Sequence, residues 1–366
     1  MNSLNNINRI ILTNEIIKKL IKIYEFKGKN FYYNKVLSKS SDIIRQQLIE
    51  KDTYFFVKYF DDSISNKKIK SLIKHNKGFS KEELHIINLK KAFEKIQTNI
   101  DNFELLPNEI LNLIKFIHPN CKDASFKIEV IQDRSTLFTE RKNQSKRKYL
   151  EELLNLYTKL EKNDEELIIL ISNFYIDFMN LDLFQNYNDE LGILLLFILS
   201  LYEGFDCFKY ISFFEILYPK KDKLKDALLH SSYSWKEGFS QPLPMINLII
   251  EILLESYKNL DDVLDDYLYD SKLNKTDNIE NTIMKLNNIF SKTEIKNIHP
   301  YVSESTINRT LKRLKDENKI KPIGTGRSAK WLKLVAQPEK FKIPKQMGLF
   351  DFIDEQEKEN DDNEES

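Results

Sequence analysis

Apolar residues return every third or fourth position along most of the chain. That spacing puts one face of a helix in a core and leaves the other in water. "NEIIKKLIKIYEFKG" (Asn14–Gly28) shows it first, with Gly28 read as its C-cap. "KAFEKIQTNI" and "NEILNLIKFI" repeat it, with Ile, Leu and Phe on one face and Lys and Glu opposite. Two segments alternate instead, "SFKIEVIQ" (Ser125–Gln132) and "STLFTERK" (Ser135–Lys142), and predict a β-hairpin turning at Asp133-Arg134. Further on, "DEELIILISNFYIDFMNL" and "ELGILLLFILSLYEGF" are apolar almost all round, as in helices buried on every side. A polar loop joins these two. "KDKLKDALLHSSYSWKEG" and "LPMINLIIEILLESYKNL" add amphipathic helices, and the acidic stretch Leu260–Asn278 is read as a linker.

A different pattern follows the linker. "ENTIMKLNNIF" and "SKTEIKNIH" predict short helices, and "VSESTINRTLKRLKDENK" a longer one. Ser303 is its N-cap, and Ile307, Leu311 and Leu314 form its inward stripe. "IKPIGTGRSAKWLKL" alternates about Gly324-Thr325-Gly326, as a hairpin does. Three helices and a wing predict a winged helix-turn-helix, whose recognition helix enters the DNA major groove. The outward face of that helix carries Ser305, Asn308, Arg309 and Lys312, and the wing carries Arg327 and Lys330. A winged helix that contacts protein would show the same basic, solvated surface.

Composition changes this picture only at the ends. With 366 residues, 41% apolar and 31% charged, the chain suits a soluble protein of more than one domain. No uncharged apolar run is long enough to span a membrane, and the first residues lack the pattern of a secretion signal. A cytoplasmic protein without a membrane partner is expected. Cys121 and Cys207 show no metal-ligand spacing, nor do His75, His85 and His230, so no metal site is expected. The formal charge of zero conceals an asymmetry. Residues 300–335 hold nine Lys/Arg against three Asp/Glu, and residues 351–366 hold nine acidic residues against one lysine.

The ordered set of elements resembles the Fic (Fido-fold) family: N-terminal helices, a hairpin, two buried helices flanking a polar loop, and a winged helix. "IYEFKGKNFYY", "EELHIINLKKAFEKI" and "KYISFFEILYPKKDKLKDALLHSS" resemble the family's flanking segments. The family's loop motif is H-P-F-x-D/E-G-N-G-R-x-x-R, and laid on this chain it runs from Asp182 to Ile193. Within the signature only Phe184 and Asn188 match, with Gly192 at a usual glycine just beyond. The resemblance implies a mainly α fold. Its parts would be an N-terminal helical region (1–110), a Fic-like core (111–258) with a hairpin flap (125–142) and motif loop (182–193), an acidic linker (259–278), a winged helix-turn-helix (279–335) and a disordered acidic tail (336–366).

The resemblance also says what the loop would need. The family's histidine is a general base, its loop acid holds Mg²⁺ on a nucleotide, its glycines let backbone N–H groups close on phosphate, and its first arginine pairs with phosphate. Here the base position is Asp182, with an ordinary pKa of about 4. The metal position is Asn186, a poor Mg²⁺ ligand. Tyr187 and Asp189 replace the glycines, and Glu190 replaces the arginine. Two like charges about 4 Å apart cost on the order of 1–4 kcal/mol in wet surroundings. The family's inhibitory S/T-x-x-x-E-G segment is also absent, Phe56 and Phe60 standing at its Ser and Glu positions. His118-Pro119, the dipeptide that opens the family motif, precedes the hairpin and is read as a helix end.

In the acidic tail, "QMGLF" resembles the bacterial sliding-clamp-binding pentapeptide, with Gln346, Leu349 and Phe350 as its docking residues. The expectation is therefore a catalytically inactive Fic-like protein, DNA-associated through its winged helix, with a possible clamp tether and a protein partner at the 125–142 hairpin. No cofactor is expected. The alternative is a Fic-type nucleotidyltransferase of altered mechanism, which would need ATP and Mg²⁺.

Overall fold

A computed structural model describes residues 2–38, 41–118, 125–133, 140–272, 275–299, 302–324 and 330–334. The chain divides into two units, Met1–Tyr267 and Leu268–Ser366. The first is helical apart from one hairpin. Its elements are α1 (Asn14–Gly28), α2 (Asn30–Leu37), α3 (Ser41–Phe60), α4 (Asn66–His75), α5 (Lys81–Asn99), α6 (Pro107–Ile117), β1 (Ile128–Asp133), β2 (Glu140–Ser145), α7 (Arg147–Glu161), α8 (Leu167–Leu181), α9 (Asn188–Tyr202), α10 (Phe213–Leu217) and α11 (Lys221–Ser231), with α12 (Leu243–Lys272) running on across the boundary. Among the described residues no helix is long and apolar enough to cross a membrane.

The two all-apolar helices are α8 and α9, and they pack on each other at the centre. Gly192 permits that approach, since a Cβ there would meet the Met179 Sδ at 2.4 Å. Phe197 of α9 continues the core outward through Phe93, Phe213 and Phe214, whose rings lie 5.0–5.9 Å apart. Phe56, at the Ser position of the absent inhibitory segment, packs into this cluster against Phe93 and Phe214. Such pairs contribute roughly 0.5–1.5 kcal/mol each beyond area burial.

Polar ties fix the periphery. Asp177 in α8 accepts from the Ser3 and Leu4 N–H groups (2.8 and 2.9 Å) and from the Trp235 indole (2.6 Å), joining three distant segments. Asp52 in α3 accepts from the Ser212 hydroxyl at 2.6 Å and the Phe214 N–H at 3.3 Å, holding the start of α10. Burial pushes the Asp52 carboxyl up to about 7.

Three local expectations change. Gly28 is the last helical residue of α1 and not its cap, because α2 follows after Lys29, which keeps right-handed angles. The hairpin forms, but its second strand is Glu140–Ser145, so Asp133 pairs with Glu140 and Asp133-Arg134 is not its turn. Alternation marks a strand without choosing its partner, and here the register is fixed at the opposite, anchored end. The acidic stretch 260–278 is mostly helix: α12 runs through Leu260 and Leu264, both buried, to Lys272, and α13 begins at Lys275.

In the second unit, α13 (Lys275–Lys285), α14 (Lys292–Ile298) and α15 (Glu304–Asp316) surround a core of Ile279, Ile283, Ile295, Ile307, Leu311 and Leu314. A three-stranded antiparallel sheet, ordered β3 (Ile289–Ser291), β5 (Lys330–Lys333), β4 (Ile320–Ile323), adds Phe290 and Ile320 to it. The "NIF" read as a helix end is the start of β3, with Phe290 buried opposite Trp331. Pro322 is tolerated because β4 is an edge strand.

Candidate functional site

Six residues connect α8 to α9, and the chain enters and leaves this loop in a left-handed conformation. Asp182 caps α8 with φ 45°, and Tyr187 precedes α9 with φ 66°. Left-handed angles cost a residue with a side chain roughly 1–2 kcal/mol, so the surroundings must hold both. For Asp182 the holders are lysines. Its carboxylate pairs with Lys127, and the Lys146 ammonium donates to the Leu181 and Asp182 carbonyls at 2.7 and 3.2 Å.

The loop also behaves as a short strand. The Lys127 N–H donates to the Leu183 carbonyl at 2.8 Å, and the Gln185 N–H to the Ser125 carbonyl at 3.0 Å. Phe126 and Phe184 form the bridge between them, with rings 4.7 Å apart. The foot of the hairpin is thus paired to the motif loop. Asn188 closes the turn from inside, its buried Oδ1 accepting the Leu183 N–H at 3.0 Å. Phe184 and Asn188, the two motif matches, are both structural here, while Gln185, Asn186 and Asp189 are exposed.

Glu190 sits in the first turn of α9, buried, with its carboxylate facing two histidines. The His118 Nε2 lies 3.0 and 3.1 Å from its two oxygens, and the His85 Nε2 lies 3.8 Å from Oε1. His85 comes from α5 and His118 is the C-cap of α6. Tyr187, His118 and His85 form one stack, with ring centroids 3.8 Å apart at 14° and then 4.2 Å apart at 22°. Burial holds the His85 imidazole below the usual histidine range, against the pull of Glu190.

Distance along the chain hides this group. No ligand spacing in the sequence announces it, because three separate helices supply its members. His118-Pro119 did attract notice there and was read as a helix end, which His118 is. What the dipeptide could not show is that the ring turns back onto the motif loop. Tyr187 and Lys127 were missed likewise.

Among the remaining candidates, Ser305, Asn308, Arg309 and Lys312 share the exposed face of α15, opposite Ile307, Thr310, Leu311 and Leu314. The neighbouring Arg313 and Lys319 are drawn to Glu280. Lys330 is exposed on β5. Arg327, Gln346, Leu349 and Phe350 lie outside the described residues.

With this geometry in view, comparison with solved structures gives the fold. A Fic family protein from Desulfovibrio desulfuricans G20 superimposes with a TM-score of 0.51 at 10% identity, covering 89% of this chain and 98% of that one. A fragment of Fic-1 from C. elegans gives 0.51 at 11% identity, covering 67% of this chain and 71% of that one. No family model and no curated protein matches the sequence. The chain has the Fic fold.

Proposed function

We propose that the protein is a catalytically inactive member of the Fic fold that works by binding, as a DNA-associated regulatory factor. The observation that carries this is the state of Glu190. At the position of a phosphate-pairing arginine it places a buried carboxylate, held on two sides by imidazoles. An anionic phosphate brought there would meet like charge. Asp182, at the base position, already answers to Lys127 and offers no free proton acceptor of suitable strength.

The second unit supports the DNA reading. Its α13, α14, α15 and β-sheet suit a winged helix-turn-helix, with Ser305, Asn308, Arg309 and Lys312 on the recognition face and Lys330, with Arg327, on the wing. The share of the chain covered by the D. desulfuricans structure is larger than the first unit alone supplies. In this reading the tail residues Gln346, Leu349 and Phe350 dock on a sliding clamp. The hairpin offers a protein partner the exposed apolar side chains of Ile128 and Val130.

Two measurements test it. Calorimetry with millimolar ATP, with and without Mg²⁺, should show no binding; binding would favour the altered nucleotidyltransferase. Gel shifts on duplex DNA should show affinity falling with salt, and Arg309→Ala and Lys312→Ala should each lower the salt slope by about one. Unchanged affinity in both variants would remove DNA from the function.

A further inference from the structure

Between α5, α6 and α9 lie three donors that an ordinary ion pair does not require. One histidine suffices to pair with a buried carboxylate, yet two imidazoles converge on Glu190. Ligand atoms of His85, His118 and Glu190 all lie within 4.8 Å of one another. The separations from Glu190 are 3.0 Å for His118 and 3.8 Å for His85. Ligands bound at about 2.0–2.2 Å to one tetrahedral ion stand roughly 3.3–3.5 Å apart. The donors are therefore within about half an ångström of ligand spacing already.

We infer that His85, His118 and Glu190 form a binding site for a transition-metal dication of the Zn²⁺ class. Two imidazole nitrogens with one carboxylate select against Mg²⁺ and Ca²⁺, which prefer all-oxygen shells, and suit Zn²⁺, Co²⁺, Fe²⁺ or Ni²⁺. The side chains are held before any ion arrives. Glu190 and His118 are only 9% and 12% exposed, and Tyr187 stacks on the His118 ring. The two imidazole rings are nearly parallel, so a tilt must bring both lone pairs onto one centre. His85, at 25% exposure, has the room to supply it.

Binding exchanges a proton for the ion. Without metal, one hydrogen bond joins the His118 Nε2 to the Glu190 carboxylate, and the Nε2–H is its donor. With metal, that proton leaves to solvent and the Nε2 lone pair faces the ion. Three protein ligands leave a position for water on the exposed side of His85, the arrangement of an open site. The site is independent of the DNA reading, since its residues belong to the first unit.

The test uses the tag-free full chain, stripped with EDTA and dialysed. Zn²⁺ titrated against a chromophoric chelator should saturate at one ion per chain, and Co²⁺ should give the strong visible bands of a four- or five-coordinate ion. His118→Gln and Glu190→Gln should each weaken Zn²⁺ binding by at least about tenfold. His85→Gln should do the same, and as the most exposed of the three it is the variant least exposed to misfolding. Circular dichroism checks each fold. Failure to retain Zn²⁺, a Co²⁺ spectrum no stronger than the hydrated ion, or equal affinity in the folded variants would reduce the cluster to a histidine–carboxylate ion pair and overturn the inference.

Discussion

Replacing Asp52 by asparagine should stabilise the protein more at pH 8 than at pH 5. The carboxyl is fully buried on α3, accepts from Ser212 and Phe214 with one oxygen, and leaves the other without a partner. Burial raises it from 3.8 to about 7 in the folded chain. Between those values the folded state keeps a proton that the unfolded state has lost, so stability falls as pH rises through the window and the loss is complete above about 7. At roughly 1.4 kcal/mol per tenfold change in proton affinity, the whole interval sets a ceiling on the order of 4 kcal/mol. The part between pH 5 and pH 8 is on the order of 2–3 kcal/mol. Asparagine has the shape of the neutral acid and can accept the same two hydrogen bonds, but it does not titrate. The stability gap between variant and wild type should therefore widen by that amount. Urea unfolding at the two pH values measures it, read from Trp235 with Trp331→Phe in both proteins so that only the first unit reports. Other titrating groups cancel in the difference. A gap that is equal at both pH values, or narrower at pH 8, would refute a raised Asp52.

Two further substitutions probe the ties around the site. Asp177→Ala leaves two backbone N–H groups and the Trp235 indole without their acceptor, and should cost on the order of 2–4 kcal/mol in thermal or urea unfolding. Asn188→Leu removes the acceptor of the Leu183 N–H; a loss of about 1–3 kcal/mol is expected, with faster hydrogen exchange at Leu183, while Asn188→Asp should restore much of it.

The loop shows how far a sequence can be read. Phe184 and Asn188 survive from a motif otherwise replaced, and their contacts give the reason: one fills the space under the hairpin foot, the other closes the turn. Both jobs are local, so a local pattern records them. The all-apolar runs of α8 and α9 likewise announced central helices, and the stripe of Ile307, Leu311 and Leu314 announced the buried face of α15. The second strand of the hairpin was misplaced and β3 was missed, because strand pairing depends on a partner far along the chain.

Hydrophobic periodicity is a property of neighbours three or four residues apart, so the sequence alone determined the helical class, the central pair and the order of elements that resembles the Fic fold. It also determined that Glu190 stands where a phosphate would need a cation. The fate of that carboxylate was decided only by tertiary structure. His85, His118 and Glu190 belong to three helices, and nothing in their spacing requires them to meet. They meet because α5, α6 and α9 pack around one apolar core, and packing sets the distances between side chains that the chain itself leaves free.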